Sequence, residues 1–133
     1  VEPEGYDDHF RSLNAGAIIP LEDSPSSLCD SLQAVAPGEH TFPTNQTLLA
    51  GGLVVNDAEV SQAMAVAFEL LQLVLEPGGA AGLAAVLAGK IEVKGKTVVV
   101  IGSGGNIDLE KFGKIYHLHT SAGQAALGDS AKL

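Results

Sequence analysis

Val98, Val99, Val100 and Ile101 run straight into Gly102-Ser103-Gly104-Gly105-Asn106, and a polar segment opening with Asp108 follows. Glycines let a backbone approach a flat ligand closely, and a serine hydroxyl at a strand's C-terminal end can hydrogen-bond a ring nitrogen. Two nucleotide readings fail on inspection. The dinucleotide fingerprint G-x-G-x-x-G needs glycine where Ile107 stands, and the Gly-Lys-Ser/Thr ending of a P-loop is missing. The turn therefore reads either as a tight strand-to-helix connection or as a wall for a flat ligand at a strand end, where ligands of open α/β sheets sit.

Carboxylates form the second group. EPEGYDD places Glu2 six residues before Asp8, with Asp7 beside it. If the chain turns at Gly5, two carboxylates and an intervening carbonyl meet the needs of a hard cation such as Mg²⁺ or Ca²⁺. The competing reading is a set of helix-start carboxylates facing water. Glu76, before Pro77-Gly78-Gly79, reads as a cap for the next helix, with a ligand-facing carboxylate as the alternative. His117-x-His119 lacks further ligands at matching spacing. Cys29 has no evident base partner and reads as a small buried hydrophobe.

These residues need elements to position them. Residues 5–15 read as a short helix with Asp7 and Asp8 in its first turn and Gly16 at its end. SPSSLCDSLQAV predicts a second short helix capped by Ser26 or Ser27, and 37–47 reads as loop. Asn56 and Glu59 form a capping box for a long helix, apolar nearly all round, that Pro77 stops. Its extent is 56–75, and it is buried or at a dimer contact. GGAAGLAAVLAGK predicts a small-residue helix closed by Gly89. TVVVI, without polar alternation, predicts a strand of a parallel sheet covered on both faces. The tail from residue 117 has no period and reads as loosely held.

At 133 residues with 46% apolar side chains, the chain is one domain's worth and disorder of the whole is excluded. A net charge of −9 repels phosphate backbones and anionic lipid, which argues against nucleic-acid and membrane-surface binding. No apolar run approaches the roughly 20 residues of a bilayer span. A single cysteine forbids an internal disulfide and suits a reducing, cytoplasmic compartment. The opening residues, VEPEGYDD, read as the middle of a longer polypeptide or as a processed N-terminus.

Taken together, EPEGYDD, LEPGGAAGLAAVLAGK and VVVIGSGGNIDLEKF occur in an order that resembles the C-terminal part of the pyridoxal-phosphate (PLP)-dependent serine/threonine dehydratases. That family, of tryptophan-synthase-β-like fold, includes serine racemases and threo-3-hydroxyaspartate ammonia-lyases. The resemblance covers residues 1–116, with 117–133 as a tail. It implies the later half of the large α/β domain: a partial three-layer parallel sheet with helices on both faces. It also implies that Ser103, Gly104, Gly105 and Asn106 wall the cofactor, with the Ser103 hydroxyl at the pyridine nitrogen. Gly52 of Gly51-Gly52 would lie beside the cofactor and Glu76 at the ring's edge. By the same resemblance Glu2, the Tyr6 carbonyl and Asp8 would hold Mg²⁺ or Ca²⁺.

The departures are as informative. All six lysines follow EPEGYDD, whereas the family's Schiff-base lysine lies far upstream, and the family's phosphate-cradling run of glycines is absent. Gly102 replaces a bulky apolar residue, and Gly51 an aspartate. No catalytic residue is therefore assigned within this chain. The expectation is the C-terminal part of an ammonia-lyase that deaminates a hydroxy amino acid to a 2-oxo acid. By itself it would be inactive, and it would associate with a missing N-terminal part or form a homodimer. The competing expectation is a stand-alone, non-catalytic α/β binding or dimerisation module.

Overall fold

The computed structural model describes residues 1–23, 25–117 and 119. In order they form β1 (Glu2–Pro3), α1 (Asp8–Ala15), a 3₁₀ turn (Asp30–Leu32), α2 (Phe42–Leu48), β2 (Val54–Val55), α3 (Asp57–Leu71) and α4 (Pro77–Leu87). Residues 109–117 add a further helix, α5. β1 and β2 pair in parallel, Glu2 opposite Val54 and Pro3 opposite Val55. The protein is thus α/β, with a small parallel sheet and helices packed around it. Among the described residues no helix is long and apolar enough to cross a membrane.

Helix starts follow local chemistry. The Asn56 side chain accepts from the Glu59 N–H at 2.9 Å while the Glu59 carboxylate accepts from the Asn56 N–H at 2.9 Å, the reciprocal capping box foreseen from sequence. Glu59 also pairs with Lys90 at 2.8 Å, tying the start of α3 to the end of α4. Pro77 opens α4, where its missing N–H costs nothing. α1 ends, as expected, at Gly16 in the left-handed region.

Four expectations give way to tertiary contacts. α3 stops at Leu71 instead of running on to residue 75. Gln72 adopts φ 58°, both its N–H and that of Leu73 turn back to the Ala67 carbonyl, and its side-chain amide donates to the Phe68 and Glu69 carbonyls. The helix predicted over 26–36 contracts to Asp30–Leu32, and Ser27, whose oxygen accepts from the Cys29 N–H at 3.2 Å, is also tied to a distant partner. Its hydroxyl and the Leu28 N–H both donate to the Asp57 carboxylate, at 3.1 and 3.0 Å.

The third is α2, which forms within the segment read as loop. Pro43 in its first turn is a start signal that the missing apolar period hid. Phe42 is buried edge-on to His9, and the Gln46 amide donates to the Gly16 carbonyl, so α2 is held by α1. Fourth, residues 97–101 join no sheet among the described residues. A loosely held tail was expected from 117 onward; beyond 117 and 119 it lies outside the described residues.

The core runs along α3 and α4. Val60, Ala63, Met64 and Ala67 meet Ala80, Ala81, Ala84 and Ala85, and Cys29, Val55 and Leu75 fill the ends. Cys29 is fully buried, and that burial pushes its thiol up to about 11, so it is the inert hydrophobe expected. Phe112 and Ile115 bring α5 onto α3, where Phe68 stacks edge-on against Phe112 and Tyr116. Replacing the α3 cap by Asn56→Ala should cost about 1 kcal/mol, read as a lowered urea midpoint with unchanged slope.

Candidate functional site

The glycine turn is hung on α4 and on the strand-like segment before it. The Glu76 N–H donates to the Gly104 carbonyl at 2.9 Å. A Cβ at 104 would run into the Glu76 carboxylate, one at 105 would sit 2.6 Å from the Val74 carbonyl, and one at 79 would sit 2.6 Å from the Gly104 carbonyl. Glycine is therefore required at 104 and 105 by the chain's own close approach. Ser103 and Asn106 stay on the exposed side of the turn. Asp108 then caps α5, accepting from the Glu110 and Lys111 N–H groups at 2.9 and 3.0 Å.

Glu76 occupies the cap position of α4, yet its side chain makes no capping hydrogen bond. The cap reading is corrected by geometry: the carboxylate is drawn against Gly104 instead. Ser103, Gly104, Gly105, Asn106 and Glu76 are thereby brought into one surface. Gly52 sits elsewhere. A Cβ there would lie 3.1 Å from the Phe10 backbone, and the residue shares a cavity of about 250 Å³ with Glu2, His9 and Asn45.

The carboxylate corner is built by β1 and α1. Gly5, at φ 82°, turns the chain as foreseen, and a side chain there would collide with Pro25. Glu2 reaches across the turn and accepts from the N–H groups of His9 and Phe10 at 2.9 and 2.7 Å, capping α1 from the neighbouring strand. Asp7, the formal cap residue, pairs with Arg11 at 2.9 Å instead. Asp8 is only 3% exposed, and Tyr6 lies buried in the turn between the two carboxylates. Ligand atoms of Glu2, Asp8 and His9 lie within 4.8 Å of one another. His9 was missed in the sequence, where its only signal was its place directly after Asp8.

Burial pushes the Asp8 carboxyl above the usual carboxylate range, and it does the same to Glu2, where the Asp8 charge adds to it. A carboxyl whose folded value is raised stabilises the fold only while protonated, and that stability is lost as pH climbs through the folded value.

A family model described as pyridoxal-phosphate dependent enzyme matches residues 1–104. An L-threo-3-hydroxyaspartate ammonia-lyase of Pseudomonas sp. is 36% identical over 115 residues, covering 86% of this chain and 36% of that protein. A serine racemase of Oryza sativa subsp. indica is 37% identical over 113 residues, covering 81% and 33%. Among solved structures, maize serine racemase superposes with a TM-score of 0.75 at 35% identity, covering 89% of this chain and 38% of that one. The chain belongs to the pyridoxal-phosphate-dependent enzyme family, with the tryptophan-synthase-β-like fold of these neighbours. It spans about a third of the length of the curated relatives it matches.

The residues present fit one side of the family's cofactor. The outer side of the turn offers a hydroxyl at 103, an amide at 106 and bare backbone at 104 and 105, with the Glu76 carboxylate at its margin.

With chelator present, Asp8→Asn should be more stable than the parent at neutral pH. That advantage should shrink toward acid pH, as read from thermal midpoints across a pH series.

Proposed function

We propose that this chain is the C-terminal part of a PLP-dependent L-serine/L-threonine dehydratase-like ammonia-lyase, whose complete form converts a hydroxy amino acid to a 2-oxo acid and ammonia. The observation that carries the reading is the Ser103 turn locked to Glu76. An exposed neutral hydroxyl stands beside a glycine surface that the Glu76 backbone and carboxylate hold rigid. The hydroxy-amino-acid names of the relatives support it.

PLP, when bound, supplies the electron sink that makes an amino acid's Cα proton acidic. This chain's residues then have positioning roles. Ser103 would hydrogen-bond the pyridine nitrogen without protonating it, which moderates electron withdrawal in a way that suits loss of a β-hydroxyl. Gly104 and Gly105 would form the wall, Asn106 would hold the turn's far side, and Glu76 would lie at the ring's edge. Glu2, the Tyr6 carbonyl and Asp8 would hold a divalent cation with a structural or activating role. The lysine and phosphate cradle would come from the rest of the protein.

Residues 98–101 favour association with that remainder over a stand-alone module. Val100 packs within 3.2 Å of where a Cβ on Gly82 of α4 would be, while Val99 and Ile101 are 85% and 79% exposed. Exposure alternates along 98–101 as in a strand, with Val98 and Val100 at 41% and 36%, and both faces are apolar. A sheet neighbour and a helix layer from the missing part would cover them; a homodimer is the other occupant. The free, buried Cys29 suits a cytoplasmic setting.

Borohydride reduction of the natural full-length product should fix the cofactor on a lysine outside this chain, read by peptide mass spectrometry. Absence of any lysine-attached cofactor overturns the enzyme reading. In the same product Ser103→Ala should retain the attached cofactor and lower kcat roughly 100-fold, the scale of losing one positioned hydrogen-bond partner at a reacting centre.

A further inference from the structure

We infer that Ser31, in the 3₁₀ turn, is a specificity-determining residue of the face that Ser103, Gly104 and Glu76 form, its hydroxyl meeting the β-hydroxyl of the amino-acid substrate. The inference rests on the hydroxy-amino-acid reading above and adds to it a residue and the substrate group that this residue recognises.

Three observations carry it. First, Ser31 adjoins the start of α4 next to the Ser103 turn. A Cβ on Gly78 would run into the Ser31 hydroxyl, while one on Gly79 would meet the Gly104 backbone, which itself lies against Glu76. Gly78 and Gly79 are consecutive, with Cα atoms about 3.8 Å apart. The Ser31 hydroxyl and the glycine turn therefore flank one short stretch of helix, and a ligand lying on the turn has Ser31 at its side.

Second, the residue is exposed and its hydroxyl is free. No hydrogen bond among the described residues engages that hydroxyl. A cavity of about 240 Å³ opens beside it, with Leu32, Ala34, Glu2 and Asp8 in its lining. The position of Ser31 is nonetheless fixed. The Leu32 N–H closes the 3₁₀ turn on the Cys29 carbonyl at 2.9 Å, Leu32 packs on the core, and Lys111 of α5 holds Asp30 at 2.7 Å. A free hydroxyl on a fixed turn suits a ligand contact, because little ordering is left to be done on binding.

The third observation is the charge nearby. Asp30 precedes Ser31, Glu76 heads α4, and Glu2 and Asp8 share the cavity. Lys111, the cation at this place, is already engaged by Asp30. A substrate carboxylate would look for a free cation, whereas an alcohol needs none. A hydroxyl also donates and accepts, so it can pair with Ser31 in either sense.

The test is made on the natural full-length product carrying its cofactor, with L-serine and L-alanine as probes, alike except for the hydroxyl. Binding is read by rapid mixing as the change in cofactor absorption before turnover. The parent should bind L-serine more tightly than L-alanine. Ser31→Ala should weaken L-serine about three- to tenfold, the scale of one neutral hydrogen bond, and leave L-alanine within about twofold. Gly78→Ala, whose methyl takes the place of the hydroxyl, should weaken L-serine to a similar extent. The double variant should then be no weaker than Ser31→Ala alone. An unchanged L-serine affinity in Ser31→Ala, or an equal loss for both amino acids, overturns the assignment and leaves the enzyme reading standing. So does a cofactor-bearing parent that binds L-serine no more tightly than L-alanine. A product with no lysine-attached cofactor overturns both.

Discussion

The close approach of α3 and α4 is the constraint on which the rest depends. Their interface is almost entirely alanine with Val60 and Met64, so two backbones settle against each other without large side chains between them. Because α4 carries glycine at 79 and 82, a third backbone can lie on it in turn. Gly104 meets Gly79, and Val100 meets Gly82. Enlarging any of these small residues would push the layers apart, and the Ser103 turn would move with them. The candidate surface is positioned by what these residues lack.

How much of this could be read beforehand divides along physical lines. Features set by neighbours in sequence were legible: the Asn56–Glu59 box, Pro77 between α3 and α4, and Gly16 ending α1. Features decided by distant partners were not. Ser27 carries the signature of a helix cap and does accept from the Cys29 N–H, but Asp57, far away in sequence, also takes its hydroxyl proton and the Leu28 N–H. α2 has no apolar period because it is anchored at Phe42 and Gln46 rather than along a face. Gln72 is a poor candidate for a left-handed stop, and it serves only because its side chain ties off carbonyls that α3 leaves open.

The candidate site shows the same division. The glycine turn and the EPEGYDD carboxylates were visible as motifs, yet their partners were not. Glu76 makes no side-chain cap because its carboxylate lies against Gly104, whose carbonyl also takes the Glu76 N–H across nearly thirty residues of chain. Glu2 becomes the cap of α1 only because the parallel pairing of β1 with β2 holds it opposite the helix start. His9 gains meaning through Asn45 and Phe42, both on α2, the helix the sequence concealed.

TVVVI is the most instructive disagreement. Its composition is that of a strand covered on both faces, and the alternation of exposure along 98–101 is strand-like. What it lacks among the described residues is a ladder. Strand propensity largely reflects packing against cross-strand and same-face neighbours, so a strand sequence without those neighbours has no ladder to join. On the proposed reading, the residue types at 98–101 suit an environment larger than the contacts of the described residues provide. Leu70, Leu71 and Leu73, at the end of α3, are likewise 73%, 55% and 50% exposed. Large apolar side chains at that exposure are ordinary singly and informative as a set. Val74, just beyond them, sets its carbonyl against Gly105, so this apolar surface leads into the glycine turn, and on the proposed reading one neighbour would complete both.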